Sequence, residues 1–152
     1  MIYHKPFTYN PSQSEREKAA GSYVMSVIAI IGGLPLPILN LLATIIFYLG
    51  NRNRKYFVRW HCTQALLVQI LLFVINIIGI SWLLTAFFGD ATFSNALISY
   101  LVLMVLVNLI ELILTIYSAV QVNKGNHVEW WIFGEMTHSI CKPDEEIQES
   151  VT

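Results

Sequence analysis

Glu111 is the only Asp, Glu, Lys or Arg between Asn95 and Val122, in a stretch otherwise made of apolar and uncharged residues. In a helix rising about 1.5 Å per residue it lies roughly 24 Å from Asn95, deep within a hydrocarbon layer about 30 Å thick. A carboxylate at that depth needs a partner or a proton. Asn108, Glu111, Thr115 and Ser118 are spaced three, four and three apart and line one helical face. Gln69 and Asn76, seven apart, line one face of the preceding apolar stretch. Antiparallel pairing across a short turn sets Asn108 level with Ile75 and Asn76, and Glu111 level with Leu72, so the two stripes can meet. Glu111, Asn108, Gln69, Asn76 and Thr115 form the expected intramembrane polar cluster. Its chemistry is either interhelical hydrogen bonding, worth about 1 kcal/mol or less per pair, or a polar path for a proton or solute.

A second group lies in Phe57-Val-Arg-Trp-His-Cys-Thr-Gln-Ala-Leu66. Arg59 and Trp60 pair a cation with an aromatic ring where a helix enters the membrane, which suits anchoring or contact with a lipid headgroup or partner. Gln64, one turn further in, has the reach to hydrogen-bond to the second helix. Trp130 and Trp131 follow an apolar span closely and are expected as an interfacial anchor. His61, Cys62, His138 and Cys141 are zinc-ligating types, but His138-x-x-Cys141 has no established zinc spacing. Adjacent His61 and Cys62 diverge by about 100° on a helix. No metal ligands and no cofactor are expected, and both thiols should be reduced. Phosphate-loop, Gly-x-Ser-x-Gly and His-Glu-x-x-His motifs are absent from the sequence. Nothing sets Glu111 beside His61, His127 or His138, so no catalytic residue is assigned and an enzyme is not expected.

The elements that carry these residues follow from where charge is missing. Of 152 residues, 55% are hydrophobic and 12% charged, with a mean hydropathy of +0.58; the charged fraction is about half that of a soluble domain. A net charge of -1 gives no reason to expect nucleic acid as a partner. Residues 22–50 hold no charge, and 62–122 hold only Asp90 and Glu111. Such runs are membrane spans, each crossing needing about 20 apolar residues. The expected fold is all-α, a polytopic membrane helical bundle over 14–122 with four helices at about 14–32, 36–50, 63–88 and 94–122. Ser14 and Glu17 have the spacing of a capping box. Gly32-Gly-Leu-Pro-Leu-Pro37 breaks the first apolar run, either as the turn of a short hairpin or as a kink that leaves three spans in all. The added glycine pair favours the hairpin.

Residues 89–93 are a short turn that makes the last two helices antiparallel. Residues 1–13 read as a flexible tail, 123–141 as a cytoplasmic aromatic interfacial segment, and 142–152 as a disordered acidic tail. The first 21 residues hold no apolar core or small-residue cleavage site, so the N-terminus is expected to be retained. Arg52, Arg54, Lys55 and Arg59 in 51–61 have no anion among them, whereas 89–93 carries only Asp90. The positive-inside rule then puts 51–61, the C-terminus and, with a hairpin, the N-terminus in the cytoplasm.

Asn51-Arg-Asn-Arg-Lys-Tyr-Phe-Val-Arg-Trp-His-Cys-Thr-Gln-Ala-Leu-Leu67 resembles a motif of the Tic-twenty-like family, the chloroplast inner-envelope protein-import component and its short bacterial relatives. That motif is a polar turn, Phe-Val-Arg-aromatic, and Gln-Ala-Leu entering a helix. Ala119-Val-Gln-Val-Asn-Lys-Gly125 is similar to the family's exit from its last helix. The likeness covers roughly 22–133, with Arg59, Gln64, Ala65 and Gly125 as the matching positions. Where the family has a proline soon after the glycine, this chain has His127-Val-Glu-Trp-Trp131. The resemblance implies a four-helix bundle with both termini on one side and, in plastid members, a place in a protein-conducting complex. No catalytic role travels with it.

The function expected is a non-enzymatic multi-pass subunit, accessory or scaffold, of a larger assembly in a bacterial inner membrane, with protein translocation as the implied setting. Its partners would be the lipid bilayer and other membrane subunits. The alternative is a small homo-oligomeric channel or proton-coupled carrier using Glu111; four short helices enclose little space, so a pore needs several copies.

Overall fold

The charge-free stretches become helices. A computed structural model describes residues 2–5, 7–31, 37–89 and 94–143. Among them are five helices, α1 Gln13–Ile31, α2 Pro37–Asn51, α3 Tyr56–Phe88, α4 Asn95–Asn123 and α5 Trp131–Ile140, with two strands, β1 Ile2–Lys5 and β2 His127–Trp130. The Gly-Pro break at 32–36, the turn at 90–93 and the acidic stretch 144–152 lie outside the described residues.

Two helices, α3 with 33 residues and α4 with 29, are long and apolar enough to cross a membrane. They extend roughly 50 and 43 Å at 1.5 Å per residue. The first two helices are shorter, 19 and 15 residues, and they double back on each other. A Cβ on Gly21 would lie 3.1 Å from the Phe47 ring, whereas one continuous helix would hold those positions about 39 Å apart. The two helices therefore lie side by side and are not one continuous helix. Residues 52–55 join α2 to α3, a connection short enough to make them antiparallel neighbours, and α1 packs on α2, α3 and α4. At Gly79 the two long helices come close: a Cβ there would meet Met104 Sδ at 2.6 Å and Tyr100 Cε1 at 3.0 Å. Small residues permit such contact between membrane helices.

The buried core sits at the end of the bundle nearest residues 52–59, built from Ala19, Tyr23, Phe57, Val68, Val122, Val128 and Trp130. Along the rest of α3 and α4, Ile78, Phe87, Val102, Val105 and Ile113 stand at least half exposed. An apolar belt of this extent suits contact with lipid or with other apolar surface.

Several boundaries differ from those the sequence suggests. The capping box is Ser12–Glu15, two residues earlier than Ser14–Glu17. The Ser12 hydroxyl and N–H donate to Glu15 Oε2 at 2.6 and 2.8 Å, and the Tyr9 hydroxyl donates to Glu15 Oε1 at 2.8 Å. Glu17 accepts instead from exposed Gln13, at 2.9 Å. Burial pushes the Glu15 carboxyl up, but the bonds from Ser12 and Tyr9 and the charge of Lys55 outweigh it and hold the group below its ordinary value. The third helix starts at Tyr56 rather than 63, because Tyr56, Phe57, Val58 and Trp60 already carry a buried face. Most of the expected 51–61 loop is thus helix.

Residues 2–5, expected as flexible tail, form β1, antiparallel to β2 in the register Ile2↔Trp130, Tyr3↔Glu129, His4↔Val128 and Lys5↔His127. The fourth helix ends in a Schellman turn: Asn126 N–H donates to Gln121 O at 3.0 Å and Gly125 N–H to Val122 O at 2.9 Å. Gly125 has φ +89°, the left-handed region that favours glycine. This turn aims the chain back at the bundle end, where β1, β2 and α5 assemble.

Candidate functional site

Two polar centres stand out, one between the long helices and one beneath the strands. Between α3 and α4, Gln69 Nε2 and Thr115 Oγ1 each donate to Glu111 Oε1 at 2.8 Å. Asn76 and Asn108 exchange amide bonds in both directions, 3.0 and 2.8 Å, and Asn108 Nδ2 also reaches Met104 O at 2.8 Å. The structure thus brings all five residues of the intramembrane cluster to one helix–helix seam. A cleft of about 250 Å³ opens beside it, lined by Asn40, Gln69, Asn76, Asn108 and Glu111 together with apolar side chains. Asn40 Oδ1 is buried there without a hydrogen-bond partner among the described residues.

The second centre lies where α3 begins. Gln64, fully buried, does not reach α2 as expected. Its Nε2 donates to the Tyr23 hydroxyl at 2.7 Å and to Val128 O at 3.2 Å, while its Oε1 accepts from Trp130 N–H at 3.1 Å. A side-chain amide thereby satisfies the backbone of β2. Tyr23 sits 3.0 Å from His61 Nδ1, and His61 Nε2 sits 3.2 Å from His127 Nδ1. His127 Nε2 then lies 3.1 Å from Glu129 Oε1, and His138 Nε2 lies 2.9 Å from the same oxygen. The indole N–H of Trp60 donates to His138 Nδ1 at 3.4 Å. One tautomer assignment satisfies every contact: each imidazole carries its proton on Nε2, and both chains of donors converge on the Glu129 carboxylate.

Trp60 is therefore no interface anchor. It is fully buried, with its ring 4.3 Å from that of His127, because α5 folds over the start of α3. Arg59 likewise turns to the end of α5, donating to Cys141 Sγ at 3.3 Å and Lys142 O at 2.7 Å, where a cation suits a helix C-terminus. The tryptophan pair divides. Trp130, at the end of a paired strand, points inward and donates to Ser118 Oγ at 2.9 Å, whereas Trp131, opening α5, is 64% exposed.

Sequence reasoning missed Glu129 and the grouping of His127 with His138. His127, Glu129 and His138 present ligand-type atoms that all lie within 4.8 Å of one another, a set different from the histidine–cysteine combinations weighed above. The available signal was His127-x-Glu129, whose spacing of two puts both side chains on one face of a strand.

Comparison with known proteins corrects the Tic-twenty resemblance. Those two motifs are short, and with another family matching most of the chain the translocation setting they implied falls away. No curated protein and no solved structure matched the chain. The model of the magnetosome magnetite crystal formation protein family, MamF/MmsF, matches residues 17–134, from the second turn of α1 into α5. The chain belongs to the MamF/MmsF family of magnetosome magnetite crystal formation proteins.

Proposed function

We propose that this chain is a non-enzymatic, multi-pass protein of the magnetosome membrane, a bacterial compartment derived from the inner membrane, and that it serves magnetite crystal formation as an accessory subunit. The observation that carries the reading is the family match over 17–134, which takes in α2, α3, α4 and β2 whole. The exposed apolar belt on the two long helices supports a bilayer as the surrounding medium. In this reading the α1–α2 hairpin also enters the membrane, giving four helices with the cations of 52–59, β1, β2 and α5 at the cytoplasmic surface. Glu111, Gln69, Thr115, Asn76 and Asn108 act as glue between α3 and α4, since their hydrogen bonds close on one another. Other membrane subunits are the expected partners.

The test is deletion of the gene in a magnetite-forming host, with a tagged copy returned. Electron microscopy should show crystals altered in size or shape in the deletion strain, and the tag should fractionate with isolated magnetosomes. Normal crystals in the deletion strain, or a tag found only in other membranes, would overturn the reading.

A further inference from the structure

We propose that His127, Glu129 and His138 form a binding site for a divalent first-row transition cation. His127 Nε2 and His138 Nε2 lie 3.1 and 2.9 Å from one Glu129 oxygen, and the three ligand atoms fall within 4.8 Å of one another. Nitrogen and oxygen ligands at about 2.0–2.2 Å from an ion sit roughly 3.3 to 3.6 Å apart in a tetrahedral arrangement, so occupation asks the two imidazoles to converge while each draws back a few tenths of an ångström from the carboxylate oxygen, with no refolding. Two elements supply the set: β2 carries His127 and Glu129 on one face, and α5 brings His138 across.

The surroundings fit a metal site as well as the ligands do. His127 and Glu129 are 4% and 6% exposed, whereas the His138 side chain is 46% exposed. The back of the site is therefore closed and the front is open to an entering ion. The far nitrogen of His127 is held by His61, itself held by Tyr23, the kind of outer support that orients a ligating imidazole. Two imidazoles with one carboxylate suit iron(II), cobalt(II) or zinc(II), and leave open positions for water. Magnesium and calcium prefer oxygen ligands throughout. In the ion-free protein the Nε2 protons of both imidazoles occupy the place of the cation. Loading moves each proton to Nδ1: His127 Nδ1–H then donates to His61 Nε2, whose own proton passes to Nδ1 and is accepted by the Tyr23 hydroxyl oxygen, while His138 turns away from the Trp60 N–H, a motion its exposed ring allows. That the ion in the cell is iron(II) rests on the proposed function; the site itself does not.

The experiment uses the full chain, purified in mild detergent and stripped of metal, titrated with cobalt(II) alone. Equilibrium dialysis should show one equivalent bound, with visible d–d absorption. His138→Ala, which removes an exposed side chain, should weaken binding at least tenfold with thermal unfolding little changed, and Glu129→Gln should do the same if it folds. No uptake by the unaltered chain, or uptake by His138→Ala equal to it, would overturn the site. Because the assay reads no magnetosome property, cobalt binding by a chain absent from magnetosomes would keep the site and remove iron as its ion.

Discussion

Gln64 shows how much one side chain can hold. Its amide contacts α1 through Tyr23 and the backbone of β2 at Val128 and Trp130, all within a fully buried volume. Gln64→Leu keeps the bulk but leaves the Trp130 N–H and the Val128 carbonyl without that partner. Each buried group so stranded costs about 1–3 kcal/mol, so the variant should lose roughly 2–5 kcal/mol, read as a lowered Tm in detergent. The Trp130 amide should also exchange its proton much faster. An unchanged Tm and exchange rate would show that water or a shifted strand replaces the amide. In the sequence Gln64 is visible as a polar residue in an apolar helix, but its partners are not. They lie 41 and 64 or more positions away; the packing of α1 on α3 brings Tyr23 there, and the Gly125 turn brings Val128 and Trp130.

At the scale of elements, the close approach of α3 and α4 at Gly79 separates two substitutions. Gly79→Ala puts a methyl against Met104 Sδ, the flexible part of a side chain that can swing aside, and against Tyr100 Cε1, which must give by a few tenths of an ångström, while alanine gains about 1 kcal/mol of helix propensity. Gly79→Leu must also displace Tyr100, whose hydroxyl is tied to Ile75 O at 2.9 Å, and overpacking of this kind costs about 1–3 kcal/mol. Thermal unfolding should place the alanine variant within about 1 kcal/mol of the unaltered chain and the leucine variant clearly below it. Equal stability of the two would mean that the seam is loose.

The helices themselves were legible, since runs without charge and the Gly-Pro break mark α1, α2 and α4 to within a residue or two. The start of α3 was not, because Arg59 and the cations before it read as loop while Phe57 and Trp60 were already packing inward. The strands were hidden for a different reason. Ile2–Lys5 is too short to show its own periodicity, and aromatic composition masked the alternation of His127–Trp130. With β2 unread, the pairing of His127 with Glu129 stayed out of sight as well.

For the molecule as a whole, Glu15 ties three segments at the end near residues 52–59. It accepts from Ser12 and Tyr9, and the Tyr9 hydroxyl in turn accepts from Phe57 N–H at 3.2 Å. Its carboxyl is held below the ordinary value, so the stability it contributes is fully present above the range of a free Glu, about 4.3. That contribution is lost as the pH falls through the group's own lowered value. The Tm of the unaltered chain should therefore drop more steeply between about pH 5 and 3 than that of Glu15→Gln, which has no carboxylate to lose. Parallel curves would mean that the clasp adds nothing to the folded state.

The pairing of β1 with β2 also dictates an order of birth. Residues 2–5 leave the ribosome well before their partners, 127–130. Closing so long a loop is entropically costly until the intervening helices have packed. The strand made before the helices therefore docks after them, and the strand bearing His127 and Glu129 finds its register only in a chain whose helices α1 to α4 are already made and assembled.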